Sequence, residues 1–404
     1  MRVLFVHFGD GDTGGSEVSL LETMSALAKR GVDVHLYCNT NSMEEPAAQR
    51  GIRVYRGEFT PYFDYSSRAF SLKGYFAAVT RARRVLAEAA PDLIHCNSAE
   101  PAQSMRLASW LHGAPMLVYL HGRYLRRSRY VLGLHLADRI IGVTRAMVDP
   151  LQADGVEPAR LGVVYNGFDA DALLAGDAAG LRAELGIPRD AVVGAVVGGL
   201  FPWKGHDVLI AGLRELGTLP RPVHILVVGE GRVRAQLETL AAGLPVHFLG
   251  HRSDVGAVLR DAADFLVAPS RHEGFGRAVI EAALAGIPAI GARVGGIPEA
   301  IEDGATGLLV APESPTEIAT AIARLVCDEA LRRRMGRAAE SRARERFLVD
   351  RVTGEMQAQY SALLDAPRPS VFDMLRPTRL AAYSRLLLNH GETPGLARPP
   401  ATAS

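Results

Sequence analysis

A chain of 404 residues exceeds one ordinary hydrophobic core and predicts two domains of roughly 150–200 residues each. Hydrophobic residues make up 48% and charged residues 22%, a globular balance, and a net charge of +1 excludes a global electrostatic field for nucleic acid. The three cysteines, Cys38, Cys96 and Cys327, form no C-x-x-C pair; they suggest neither a zinc site nor a disulfide framework and fit a reducing cytoplasm.

The first apolar run, 2–8, reads as a strand. Neither a long apolar segment nor a small-residue cleavage site follows it, so it is not expected to be a signal peptide. A helix is predicted over 17–30, with Leu20, Leu21, Met24 and Leu27 on one face and Gly31 as its stop. Strands follow at 33–38, 52–55, 93–96, 116–120, 139–143 and 161–165, with helical patterns between most of them. The same rhythm restarts at 191–197 and continues at 223–228, 246–249, 265–268, 289–291 and 307–310. Helices are predicted at 277–284, 315–327, 330–347 and 351–364. Near-continuous apolar runs suit strands covered on both faces, and strands alternating with helices imply parallel sheets. The expected fold class is therefore α/β, with two Rossmann-like domains facing across a cleft. Their bounds are 1–168 and 169–347, with a helix at 348–366 crossing back to the N-terminal domain and a partly disordered tail at 367–404. Within the tail, 369–388 mixes apolar residues with Arg376, Arg379 and Arg385, as an interfacial helix or one packed on the N-terminal domain would. No run of 18 apolar residues occurs, so no spanning helix is expected.

Ligands of such folds bind outside the carboxyl ends of the strands, which directs attention to the loops after them. The first loop holds Gly9, Gly11 and Gly14 in G-x-G-x-x-G spacing, the dinucleotide fingerprint. Asp10 and Asp12 put negative charge where a pyrophosphate would lie, and Cys38-Asn39-Thr40 lacks a ribose-binding acid. An ordinary βα turn is the plainer reading of this loop. His121 follows the strand 116–120, where a histidine is either structural or placed to meet a ligand. Arg123, Arg126, Arg127 and Arg129, with Tyr124 and Tyr130, form a basic aromatic patch that suits a phosphorylated lipid acceptor, an anionic membrane or plain solvent. Phe59, Tyr62, Phe63 and Tyr65 suit either stacking on a sugar or packing of a long loop. Lys204, in the Gly198–Gly205 loop, is placed to neutralise a diphosphate leaving group. Glu273 and Glu281 flank a glycine-rich turn at a helix start, where carboxylates can grip vicinal hydroxyls and backbone N–H groups can meet an anion or sugar.

The stretch Glu273-Gly-Phe-Gly-Arg-Ala-Val-Ile-Glu281, followed by Ala-Gly-Ile-Pro288 and Gly295-Gly-Ile-Pro-Glu299, resembles the E-x7-E region of glycosyltransferase family 4. That family comprises retaining transferases of the GT-B fold. The likeness extends through Gly229-Glu-Gly231, Phe248-Leu-Gly250, 264–270, Asp303-Gly304 and 306–310, covering about 161–347 strongly and the N-terminal half more weakly. It implies that Glu273 contacts the donor sugar, that Glu281 binds the ribose and that the amides of Gly274, Phe275 and Gly276 contact the sugar. It also implies that Gly14 and Gly15 let the backbone approach the sugar and phosphate, that His121 contacts the donor sugar, and that Asn166-Gly-Phe-Asp169 is a structural turn. Where the family has an arginine this chain has Gly199, so half of the cationic clamp beside Lys204 is missing; Arg232 and Arg271 are the candidates to supply it.

The expected activity is thus a retaining glycosyltransferase using a nucleotide diphosphate-sugar as co-substrate, with His121, Lys204 and Glu273 at the reacting centre. Bacterial-type polysaccharide, lipopolysaccharide or glycolipid synthesis is the expected setting, with a saccharide or lipid-linked acceptor. The acceptor is expected near Arg123, Arg126 and Arg127, and the location is cytoplasmic or peripheral on the inner membrane face. No carboxylate is placed as a covalent nucleophile, which implies front-face substitution. No Asp-x-Asp pair stands ready to bridge a metal and diphosphate, so neither metal nor other cofactor is expected. The rival readings are an NAD-dependent dehydrogenase using the Gly9 loop, a non-catalytic donor-binding subunit and a GT-B sugar epimerase.

Overall fold

The computed structural model describes residues 1–9, 14–58, 63–64 and 69–366. Its chain divides into two compact units, Met1–Gly167 with the chain from Val352 on, and Phe168–Arg351.

The first unit is built on a seven-stranded sheet. Its strands are β1 (Arg2–His7), β2 (Asp33–Cys38), β3 (Arg53–Arg56), β6 (Leu93–Cys96), β7 (Met116–Leu120), β8 (Arg139–Gly142) and β9 (Leu161–Val163); the intervening β4 (Phe63–Asp64) and β5 (Ala69–Phe70) form a separate antiparallel pair. The sheet order is β3-β2-β1-β6-β7-β8-β9, all parallel. Val3, Leu4, Phe5 and Val6 of β1 are fully buried, as a strand covered on both faces requires. The edge strand β3 instead carries Arg53 and Arg56 towards solvent, which blunts the open edge. The helix Val349–Asp365 returns to this unit: Tyr360 is buried, with its hydroxyl 2.7 Å from His95 Nδ1, and Gln359 accepts from Arg139.

The second unit has a six-stranded parallel sheet of β10 (Val192–Val197), β11 (Val223–Val228), β12 (Val246–Gly250), β13 (Phe265–Ala268), β14 (Ala289–Ala292) and β15 (Gly307–Val310), in the order β12-β11-β10-β13-β14-β15. Its core joins Val192, Val196, Phe265 and Val267 of the sheet to Leu209 and Leu213 of the helix His206–Glu215 and to Ile318, Ile322 and Leu325 of the helix Pro315–Cys327.

In both sheets the strand order therefore reverses beside the first strand, between β1 and β6 and between β10 and β13. At such a switch the adjoining loops run to opposite faces of the sheet and leave a crevice at the carboxyl ends. The α/β expectation holds, with two parallel-sheet units. The β4–β5 pair was not foreseen. Of the aromatic run beside it, Phe59, Tyr62 and Tyr65 lie outside the described residues, as do Asp10, Gly11 and Asp12 of the first loop and the segment 369–388. Among the described residues no helix is long and apolar enough to cross a membrane.

Candidate functional site

In the second unit the loop after β10 carries Lys204 and the loop after β13 carries Glu273, so the strand order brings together two residues 69 positions apart. Lys204 Nζ donates to Glu273 Oε2 at 2.8 Å, and Ser270 Oγ stands 3.2 Å from the same oxygen. The pair is partly open, with 26% of the lysine and 16% of the glutamate side chain exposed. Two glycines permit this closeness. Gly205, in the left-handed region at φ +69°, lets the Lys204 turn lie against Pro269; an added Cβ would stand 2.0 Å from the Pro269 carbonyl oxygen. Gly295, at φ +53°, lies under Glu273, and its Cβ would meet the Glu273 carbonyl oxygen at 1.7 Å.

The helix Arg277–Leu284 starts directly after the glycine-rich turn. Phe275 is buried against Phe168 and Phe347, with centroid distances of 6.3 and 5.6 Å, so its ring anchors the turn and any contact with a ligand falls to its backbone. Glu281 lies one turn into the helix, and its Oε1 is 3.5 Å from Arg277 Nε. Arg277 in turn covers the face of Phe168 at 4.4 Å. The Asn166-Gly-Phe-Asp169 turn is structural at its last residue, since Asp169 Oδ1 accepts from Ala172 N at 3.0 Å and caps the helix Ala170–Leu173.

Gly199 has a local reason. The Phe201 ring folds over it, and an added Cβ would lie 2.5 Å from that ring. Phe201 stacks on Trp203 at 4.5 Å, with Arg232 over both rings at 6.0 and 5.8 Å. The other candidate cation, Arg271, is held by Asp207, by Glu313 and by the Pro202 carbonyl. The hydrogen bond to Asp207 is the main reason its pKa rises further above the ordinary arginine value, and the same bond lowers that of Asp207.

The first unit presents a second cluster at its own switch. Gly14 N donates to Glu17 Oε2 at 3.0 Å at the start of the helix Gly15–Lys29, while Gly14 and Gly15 themselves are exposed. Burial alone would raise the Glu17 carboxyl, but the nearby His7 imidazole and the Ser16 hydroxyl hold it at about 2. His121 Nε2 stands 3.0 Å from Asn97 Oδ1, and Tyr119 packs edge-on against its ring at 4.4 Å. Asn97, His7 and Glu17 were not singled out in the sequence; their signal was their place at the ends of β6 and β1 and at a helix start.

The basic aromatic patch is corrected in part. Arg123, Arg126 and Arg127 are exposed, but Arg129 and Tyr130 are buried. Arg129 binds Asp154 at 2.7 Å, Arg126 approaches the same acid at 3.2 Å, and Tyr130 stacks on His135 at 3.7 Å. The Tyr124 hydroxyl donates to Glu100 at 2.9 Å. The helix Arg126–Val131 turns residues 129 and 130 inward, so these side chains brace the fold.

Comparison with known proteins gives the family and the fold. The family model described as Glycosyltransferase Family 4 matches residues 13–172, and that described as Glycosyl transferases group 1 matches residues 178–342. The D-inositol 3-phosphate glycosyltransferase of Actinosynnema mirum is 30% identical, covering 92% of this chain and 99% of that protein. A crystal structure of Anabaena HepE in complex with UDP is 25% identical, with a TM-score of 0.75 over 90% of this chain and all of that one. A glycosyltransferase from Rickettsia africae is 19% identical, with a TM-score of 0.78 over 91% of this chain and 99% of that one, a likeness of fold. The dehydrogenase reading of the Gly9 loop is thereby overturned. Its physical reason is also present: the Asn39 side-chain amide clamps Gly9, accepting from its N–H and donating to its carbonyl at 2.9 Å each, where a dinucleotide fold would need an acid.

Proposed function

The chain belongs to the glycosyltransferases of family 4, described also as group 1, and on that premise we propose that it is a retaining enzyme that takes its sugar from a nucleotide diphosphate-sugar held at the β10/β13 switch. The observation that carries this reading is the Lys204–Glu273 pair, a cation and a carboxylate 2.8 Å apart in the crevice where α/β sheets hold their ligands. Lys204 leaves Glu273 to meet the donor diphosphate, and the freed carboxylate accepts hydrogen bonds from the sugar hydroxyls. Glu281 grips the ribose, sharing its charge with Arg277. Arg232, steadied on the Phe201–Trp203 stack, supplies the second positive charge, because Arg271 is already committed to Asp207 and Glu313. The UDP carried by Anabaena HepE supports a uridine nucleotide.

In the reaction, the acceptor oxygen bonds to the anomeric carbon on the face from which the β-phosphate oxygen departs. That same departing oxygen takes the acceptor proton, so atoms and charge balance without a covalent enzyme intermediate. The protein contributes positioning and stabilisation of the leaving diphosphate. With Lys204 and Arg232 carrying the countercharge, transfer is independent of divalent metal. The acceptor is a saccharide or lipid-linked sugar in bacterial-type polysaccharide, lipopolysaccharide or glycolipid synthesis. It lies beside the exposed Arg123, Arg126 and Arg127, with peripheral contact to the inner membrane face.

The test is slow donor hydrolysis without acceptor. A panel of UDP-, GDP- and ADP-sugars is incubated with the protein, with and without chelator. At least one is expected to release its nucleoside diphosphate at an unchanged rate in chelator. Binding without release would favour a donor-binding subunit, and release that stops in chelator would overturn the metal-independent mechanism.

A further inference from the structure

The helix Leu72–Ala89 leaves large apolar side chains in solvent: Leu72 and Phe76, one turn apart, are each 55% exposed. At about 100° per residue, the exposed Leu72, Lys73, Phe76, Ala77, Arg83 and Arg84 fall within one arc of about 140°. Ala78, Ala82 and Leu86 lie on the opposite side and are buried in the first unit, where the helix packs on Ala99–His112. Between Leu72 and Ala87 no acidic residue stands against Lys73, Arg81, Arg83 and Arg84, so in a chain of net charge +1 this positive charge is local. Arg81 donates to the Glu58 carbonyl, while Lys73, Arg83 and Arg84 have no ion-pair partner among the described residues. The helix carries the chain from the carboxyl end of β3, by way of the β4–β5 pair, back to the amino end of β6, so its first turns stand at the carboxyl-end rim of the sheet. β4 lies beside the helix Arg126–Val131, which follows the carboxyl end of β7 and exposes Arg126 and Arg127.

We propose that this face of the helix Leu72–Ala89 is where the protein rests on an anionic bilayer, with Leu72 and Phe76 entering the acyl boundary and Lys73, Arg83 and Arg84 meeting lipid phosphates. The proposal deepens the peripheral membrane contact proposed above and rests on that reading; it names the surface and the lipid charge. Apolar side chains beside unpaired cations suit the boundary between acyl chains and headgroups. There the cations keep their charge in the headgroup layer while their methylene stems and the two apolar side chains leave water. A neutral bilayer would take up Leu72 and Phe76 but offer nothing to the three cations, whereas an anionic one attracts each of them. A second copy of the chain is a poorer occupant, because a two-fold pairing through this face sets the same cations against one another. Arg126 and Arg127 extend the positive field along the rim. A bilayer there lies at the end of the sheet that carries His121, so a lipid-linked acceptor is presented to that end.

The experiment is co-sedimentation of the full chain with vesicles of phosphatidylcholine alone and of an equimolar mixture with phosphatidylglycerol. The wild type is expected to bind the mixed vesicles more tightly and to lose affinity as salt rises. Leu72→Ser with Phe76→Ser should weaken that binding by about 10–100-fold. Lys73→Gln, Arg83→Gln and Arg84→Gln together should weaken it by about 100-fold, about fivefold for each cation, and remove most of the salt dependence. Both variants should keep the wild-type melting behaviour and slow donor hydrolysis, because the changed side chains face solvent. Phe76→Trp should gain a blue-shifted emission on mixed vesicles that the wild type does not show. Mixed-vesicle binding left intact in both variants overturns this surface while the membrane reading stands. A wild type that binds neither vesicle overturns both. A concentration-dependent dimer that Leu72→Ser with Phe76→Ser abolishes, without vesicle binding, gives the face to a second copy and overturns the proposal.

Discussion

Replacing Gly295 by alanine tests whether the Glu273 loop is held in place by backbone contact. The new Cβ would stand 1.7 Å from the Glu273 carbonyl oxygen. An ordinary contact is about 3.5 Å, so the two segments must separate by roughly 1.8 Å. Holding alanine in the left-handed region adds about 1–2 kcal/mol of strain. A misplacement of about 1 Å at a reacting centre can cost roughly 100-fold in rate, so donor hydrolysis should fall by about that factor. Gly186→Ala supplies the control. Gly186 has a similar φ of +65° but nothing within 4 Å of its added Cβ. It should lose about 1–2 kcal/mol, or roughly 2–8 °C in Tm, and keep its activity. Melting curves and nucleoside diphosphate release are measured on both variants. If Gly295→Ala stays within about threefold of wild-type activity, with a melting shift no larger than that of Gly186→Ala, the claimed contact does not position Glu273.

Lys204→Ala and Glu273→Ala should each lower transfer by about 100–1,000-fold with unchanged melting, since the pair is partly solvated; near-normal turnover in both would contradict their roles. Arg232→Ala should weaken nucleoside diphosphate binding by about tenfold. Arg271→Ala should cost only about 1 kcal/mol of stability, because Asp207 and Glu313 are well solvated, and thermal melts with titration of both variants tell the cations apart. His206 is 3% exposed among apolar side chains and neither ring nitrogen has a protein partner. Burial, with the charge of Lys204, lowers its pKa to about 4. The unfolded chain therefore binds the extra proton first, and stability is lost as pH falls from about 6.5 towards 4, by roughly 3 kcal/mol. His206→Leu should remove that acid limb and raise Tm at neutral pH; an unchanged pH dependence of melting would contradict the assignment. Time-resolved NMR of donor hydrolysis should show the first sugar formed with the donor's anomeric configuration, whereas the opposite anomer would exclude front-face retention.

All thirteen strands of the two sheets were legible, because strands buried on both faces write themselves as short apolar runs. Their ends moved by a residue or two, where burial rather than composition decides: the strand expected at 2–8 stops at His7, whose polar ring turns into the switch cluster. The β4–β5 pair has two residues per strand and no period to read. The loop glutamate and lysine were legible as motifs, but their pairing depends on β13 lying beside β10, a matter of strand order. The cluster of Glu17, His7, Asn97 and His121 was illegible for the same reason, since these residues meet only once β6 inserts between β1 and β7. Arg129 and Tyr130 were misjudged because the groups that cover them, Asp154 and His135, lie outside the run and meet it only in the fold.

The central claim is that a donor diphosphate lies on Lys204 at the β10/β13 switch. Titration calorimetry with UDP, GDP and ADP, each beside its parent nucleoside, tests it on the wild type and on Lys204→Ala. One diphosphate is expected to bind more tightly than its nucleoside, and Lys204→Ala should weaken that diphosphate by about 10–100-fold while leaving the nucleoside unchanged. Full diphosphate affinity in Lys204→Ala, or an equal loss for diphosphate and nucleoside, would contradict it.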